Sequence, residues 1–307
     1  GNPGSYGNLN VGAVGTDNWT VAAAAGITPG TIATFTLDIT ASNGYTNHGG
    51  FEIIVGDVRN QPSGPDAYGY KAWDNMDGGE SHPYNWQEVS TLHGGPGRPI
   101  VFTTDDQTFQ FTLPFSFRYY GQDFTQISVC TNGWIAMGST TSTDYSNSAI
   151  PSSDGPPNMI AAYWHDLTPN LSGGQVAYYY NAAQHFYVVE YDSIRHYTPA
   201  TSRETFEIVL YDPAFYPTSS GDGVILVQYK QPTDLNVATI GVENSTQTVG
   251  LQYAYNTTLD VNAWQIQSGR TITFTTNVTT VPPTLDLTLT PVNPPIVIPA
   301  RGGSFQF

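Results

Sequence analysis

The chain has 307 residues, 39% of them hydrophobic, which is enough for one large β domain or two ordinary ones with real cores. Nine Lys and Arg stand against 25 Asp and Glu, and the formal net charge of −16 repels nucleic-acid backbones and anionic membranes. No run approaches the ~18 apolar residues of a membrane span.

In chain order, residues 1 to 57 hold "NWTVAAAA", "TIATFTLDIT" and "GGFEIIVG", separated by "GITPG" and "SNGYTNHG", whose glycines suit tight turns. These three strands make about half of a sandwich. A turn-rich passage from Asp57 to Ser90 shows little alternation and reads as the entry to a second domain. Ten strands follow: "QTFQFTLPFSFRYYG", "FTQISVCTNGWIAMG", "MIAAYWHDL", "GQVAYYYN", "HFYVVEYDSI", "ETFEIVLYDP", "GVILVQYK", "VATIGVEN", "VGLQYAYN" and "RTITFTT". No helical apolar stripe interrupts them. The expected fold is all-β: a large, jelly-roll-like sandwich over 58–280, beside the smaller partial sandwich of 1–57. Asp222-Gly223 is the expected tight turn of a hairpin between "ETFEIVLYDP" and "GVILVQYK".

Past Thr280, "TTVPPT" is a proline-stiffened linker, and Leu285, Leu287 and Leu289 alternate with Asp286, Thr288 and Thr290 as in a half-buried strand. Ile296, Ile298, Phe305 and Phe307 continue the apolar pattern. Residues 281–307 are therefore expected to be donor-type strands that complete a half-sandwich. The partner is residues 1–57 of a neighbouring copy, giving head-to-tail polymerisation, or of the same chain, giving a closed monomer. Burying the three leucines is worth about 5–9 kcal/mol before the costs of association.

Large enzyme classes find no support: G-x-S-x-G, H-E-x-x-H and the phosphate-binding glycine loop do not occur. Cys130, the only cysteine, could be a nucleophile with His165 as base and Asp166 or Asp192 as orienter, or a small packed hydrophobe on a strand; the alternation of Ile127, Val129 and Thr131 favours the latter. His165 and Asp166 sit at a strand end, where a polar pair binds a ligand or bonds the adjoining loop. The chain is thus expected to be non-enzymatic, with no catalytic residue and no cofactor apart from calcium. The calcium candidates are Asp74, Asp77 and Glu80 on a glycine-rich turn, and also Asp105 and Asp106.

Asn18, Asn170, Asn244, Asn256 and Asn277 lie in glycosylation sequons. Tyrosine-rich runs could stack on sugars, or fill both faces of a sandwich whose outer face is wet. Few basic residues with many Tyr, Thr, Asn and Gly suit a secreted surface protein. The opening "GNPGSYGNLN" lacks the regions of a signal peptide and reads as a start left after a leader is removed.

Residues 63 to about 276 resemble a β-sandwich module of secreted bacterial proteins, often large ones carrying peptidase domains and type IX secretion sorting tails. The likeness rests on "GPDAYGYKAWDN", "YNWQEVS", "LPFSFRYYGQDFTQISVCTNGWIAMG", "NMIAAYWHDL", "HFYVVEYDSI", "TFEIVLYDP", "GDGVILVQYK", "ATIGVENSTQTVGLQYAYN" and "GRTITFTT". The central part is also distantly similar to the extracellular domain of nidogen-type proteins. Residues 8–56 resemble the back half of an immunoglobulin-like module, and the final residues resemble the opening strands of the next. The resemblance implies a non-enzymatic extracellular or cell-surface module and carries no site residues. The expected function is a structural subunit of a surface filament or sheath; the alternative is a binding or adhesion module, for a glycan or surface, accessory to a larger secreted peptidase.

Overall fold

The computed structural model of the chain describes residues 31–41, 44–55, 61–234, 236–277 and 290–291. The expected strand "NWTVAAAA", Asn18, the linker and Leu285, Leu287, Leu289, Ile296, Ile298, Phe305 and Phe307 lie outside the described residues. The chain divides into two compact units, Gly1–Val58 with Thr284–Phe307, and Arg59–Pro283.

In the first unit, β1 (Thr31–Thr40) and β2 (Thr46–Val55) form an antiparallel hairpin. Gly44 turns the chain between them at φ +83. Strand β2 starts earlier than the glycine pattern implies, because Leu37, Asp38, Ile39 and Thr40 need partners and find them in Gly49, His48, Asn47 and Thr46.

Among its described residues the second unit is all-β apart from two single 3-10 turns, at Thr91–His93 and Pro169–Leu171. Its strands are β3 (Lys71–Asp74), β4 (Arg98–Ile100), β5 (Thr108–Tyr119), β6 (Gln122–Cys130), β7 (Trp134–Met137), β8 (Met159–Trp164), β9 (Gln175–Asn181) and β10 (Phe186–Arg195). They continue with β11 (Arg203–Tyr211), β12 (Ile225–Gln231), β13 (Thr239–Glu243), β14 (Gly250–Tyr255), β15 (Thr258–Leu259) and β16 (Arg270–Thr275). Two seven-stranded antiparallel sheets result, in the orders β3-β16-β12-β11-β10-β9-β4 and β15-β14-β13-β8-β7-β6-β5. They pack as a sandwich. Finally β17 (Thr290–Pro291) adds to β2, pairing Thr290 with Glu52 and Pro291 with Phe51.

The expected strand "FTQISVCTNGWIAMG" is two strands, β6 and β7, broken by a turn at Thr131-Asn132-Gly133. Gly133 has φ +76, and a Cβ there would stand 2.0 Å from the Tyr163 carbonyl oxygen, so only glycine fits. Strands β11 and β12 do pair, but through the long connection 212–224 rather than a tight Asp222-Gly223 turn. The Asp222 carboxylate is buried there, accepting from the Gly121 N–H (2.9 Å) and the Tyr68 hydroxyl (2.9 Å), and Gly223 abuts the Phe117 ring. These tertiary partners override the local turn preference.

Between the sheets lies an aromatic core in which Tyr191, Phe206, Tyr229, Tyr163 and Phe274 are all 0% exposed. Buried hydroxyls need acceptors, and here they find the opposite sheet. Tyr191 on β10 donates to the Cys130 carbonyl on β6 (2.7 Å), and Tyr229 on β12 donates to the Ala162 carbonyl on β8 (2.6 Å). The tyrosine richness thus serves in large part to stitch the core.

The outer faces of the central strands are also covered. On one sheet, Cys130, Trp134, Ala136, Met159, Ala161 and Trp164 pack with Ile150 of the 138–158 loop. Both indoles, Trp134 (2.9 Å) and Trp164 (3.0 Å), donate to the single Asp144 carbonyl and pin that loop. On the other sheet the residues 82–95 run as a strap over an outer row of side chains, Ala177, Glu190, Glu207, Gln228 and Thr271, which are cross-strand partners in sequence. The outer face expected to be wet is interior over these rows.

Candidate functional site

The Thr131-Asn132-Gly133 turn organises one end of the sandwich. Asn132 is fully buried; its Nδ2 donates to Asp106 Oδ1 (2.8 Å) and to the Thr143 carbonyl (3.1 Å), while its Oδ1 accepts from the Leu167 N–H (3.0 Å). One side chain therefore ties the 105–106 loop to the segment that follows β8. The tie gathers Asp105, Asp106 and Asp166, whose carboxylate oxygens lie within 4.8 Å of one another. A hard cation holds carboxylate oxygens at about 2.3–2.6 Å, so oxygens that far apart can ligate one ion.

The electrostatics match a crowded acidic site. Burial first, then the charges of Asp105 and Asp106, push the Asp166 carboxyl up to about 6. Asp105 Oδ1 has neither solvent contact nor a hydrogen-bond partner. None of the ion pairs among the described residues involves these three carboxylates. Such a cluster has the donor chemistry to hold a proton or a hard cation.

Behind it, the His165 ring lies tilted against that of His196 with centroids 4.6 Å apart, and His196 Nε2 meets Glu204 Oε1 at 2.9 Å. Burial first, then the neighbouring His196, holds the His165 imidazole down to about 4. It is thus neutral near pH 7, the neighbouring Val237 backbone offsetting the burial only in part.

Cys130 is buried, with Sγ accepting from the Asn132 N–H (3.5 Å) and lying near Thr131 Oγ1 (3.9 Å), and burial pushes its thiol up to about 11. That is the packed-hydrophobe environment, opposite to that of a poised thiolate. Asp192 is elsewhere engaged, accepting from Ser90 Oγ (2.7 Å) and facing His93 Nε2 (3.2 Å).

Asp74 is fully buried and its carboxylate is occupied by the Met76 N–H, the Tyr253 hydroxyl, the Trp264 N–H and Arg270. Asp77 Oδ2 accepts from the Asp74 N–H (3.0 Å), and Glu80 Oε2 accepts from Asn277 Nδ2 (3.2 Å). The turn that joins them is bound into the protein, whereas Asp105, Asp106 and Asp166 converge. Of the sequons, Asn170 is exposed, and Asn244, Asn256 and Asn277 are half-buried.

The β-sandwich from the strap to β16 also has a counterpart among known families: residues 84–284 match the family described as NIDO related. The chain belongs to the NIDO-related family. Comparison with curated proteins and with solved structures gives no match. The NIDO-related domain is an extracellular-type module, and its matched span contains Asp105, Asp106, Asp166 and the strap from Tyr84 onward.

Two signals were in the sequence for the acidic site, Asp105-Asp106 and His165-Asp166. What joins them is Asn132, whose role depends on a buried turn that no local pattern announces.

Proposed function

We propose that the chain is a non-enzymatic structural module of a secreted bacterial surface protein, and that copies associate head to tail when residues 285–307 of one add to the β1–β2 hairpin of the next. The observation that supports the reading is the pairing of Thr290 and Pro291 with Glu52 and Phe51 at the edge of β2, which is made within one chain, as the closed-monomer alternative expects, and which marks this edge as one that accepts the segment. An edge that takes this segment from its own chain offers the same hydrogen bonds to the segment of a neighbour, the relation that underlies strand exchange. The contact is heterologous, so repetition extends a filament unless rotation closes a ring.

Light scattering over a concentration series tests it. Full-length protein is expected to grow with concentration, while a variant lacking residues 285–307 remains a folded monomer. A full-length chain that stays monomeric throughout overturns the reading.

A second reading, an adhesion module accessory to a larger secreted peptidase, draws on the convergence of Asp105, Asp106 and Asp166 at a loop-rich end. Calcium bound there could present open coordination positions to sugar hydroxyls. A reproducible glycan-array signal that requires calcium and vanishes in Asp106→Asn would favour it over the first.

A further inference from the structure

We propose that residues 82–93 form a proton-gated cover, held on the outer face of the β10-β11-β12-β16 strands while Glu190 and Glu207 are neutral and released when both ionise.

The strap has little regular structure of its own, so its backbone donors must find acceptors elsewhere. They find them on the sheet. Glu190 Oε2 accepts from the N–H groups of Val89 (2.6 Å) and Ser90 (2.7 Å); Glu207 Oε1 accepts from Gln87 N–H (3.1 Å). Gln228 Oε1 accepts from Asn85 N–H (2.8 Å), its Nε2 returns a bond to the Asn85 carbonyl (2.9 Å), and His82 Nδ1 lies 3.2 Å from Thr273 Oγ1.

Two of these clamps are acids that face each other. Glu190 and Glu207 are direct cross-strand partners, and both are 0% exposed. Opposed side chains of adjacent strands start from Cβ atoms about 5 Å apart. Each carboxyl has one oxygen, Glu190 Oε1 and Glu207 Oε2, with no partner and no solvent. A proton on such an oxygen removes the charge and so relieves the repulsion.

The N–H groups of Val89, Ser90 and Gln87 and the Gln228 amide favour the ionised carboxylates, but burial outweighs them, and the surrounding charges do not replace the proton. From the strap, Glu88 and Tyr84 face the pair; Asp192 lies on β10 and adds negative charge. Lys230 on β12 is drawn to Glu88 (2.8 Å) and over the Trp86 ring, and His93 is engaged with Asp192. Burial is the leading cause that pushes Glu190 up to about 7 and Glu207 well above the ordinary carboxylate range.

The sign follows from linkage. With folded values raised, the closed cover is fully stabilised below the ordinary Glu value and loses that stabilisation as pH rises through about 7. His82, lowered by burial, acts in the opposite sense at the strap's other end: its protonation on acidification loosens that contact. Release uncovers Val188, Val209 and Leu226, the apolar outer row beside the carboxyls.

Hydrogen exchange followed by mass spectrometry tests the proposal on the full chain, with protection factors corrected for intrinsic exchange. Protection of the 85–90 amides is expected to fall as pH rises from about 4.5 to about 7, by about tenfold per pH unit for each carboxyl that ionises on opening, and to lose that fall in Glu190→Gln/Glu207→Gln. Equal loss in that variant, or none in the wild type, overturns it. Should the variant fail to fold, infrared spectra decide: in Asp166→Asn/Glu243→Gln, where those two other raised carboxyls are absent, a protonated-carboxyl band is expected near pH 6 and its absence overturns the proposal.

Discussion

The hydroxyl of Tyr229 on β12 donates to the carbonyl oxygen of Ala162 on β8 at 2.6 Å, across the interior of the sandwich. Tyr191 makes the matching bond to Cys130. A buried carbonyl left without its donor costs more than the net worth of an exposed bond. Tyr229→Phe and Tyr191→Phe are each expected to lower stability by about 1–2 kcal/mol, read as a shift in urea midpoint at unchanged slope. No shift in either would mean that solvent or backbone already satisfies those carbonyls.

Gly133→Ala is expected to be far more severe. It combines a positive φ of 76 with a Cβ 2.0 Å from the Tyr163 carbonyl, so β8 or the Asn132 turn must move. A loss of at least ~3 kcal/mol is expected. The displacement also separates Asp106 from Asp166, so the variant should lose any calcium response that the parent has.

Stability at the acidic end depends on pH in two opposed ways. Asp166, raised to about 6, contributes stability that is complete below its ordinary value of 3.8 and is lost as pH rises through about 6. His165, lowered to about 4, contributes stability that is complete above 6.5 and is lost as pH falls through about 4. Thermal midpoints measured across this range should therefore change shape in the variants: Asp166→Asn flattens the rising-pH limb, and His165→Gln the falling-pH limb. Parallel curves in all three proteins would place the titration elsewhere.

Calcium separates the two fates of the acidic cluster. At a pH above about 7, where Asp166 is ionised, added calcium is expected to raise the thermal midpoint, and chelation to reverse the gain. Asp105→Asn and Asp106→Asn should each abolish the response. Asp74→Asn should leave the calcium response intact while lowering stability, because that carboxylate serves Tyr253, Trp264 and Arg270. A calcium response that survives both loop substitutions would move the site.

The strands were legible because their alternation is strong: "TIATFTLDIT" is β1 residue for residue, and the runs from "HFYVVEYDSI" to "RTITFTT" each hold a strand of the sandwich. What was not legible depends on partners remote in sequence. Glu190 and Glu207 look like solvent-facing positions of half-buried strands, yet a strap a hundred residues upstream covers them. Asp222-Gly223 has the local signature of a tight turn, but its carboxylate is recruited by Gly121 and Tyr68. Asp166 lay beside His165 in the sequence, and its convergence with Asp105 and Asp106 rests on one buried asparagine.

With the 82–95 strap over one sheet and the 138–158 loop over the other, the central body is layered four deep: cover, sheet, sheet, cover. The broad faces of the central strands, the surfaces a two-layer sandwich would present to a glycan or another protein, are then interior. What such a body has to offer in contact is its rim: the edge strands β3, β4, β5 and β15, and the loops at the strand ends.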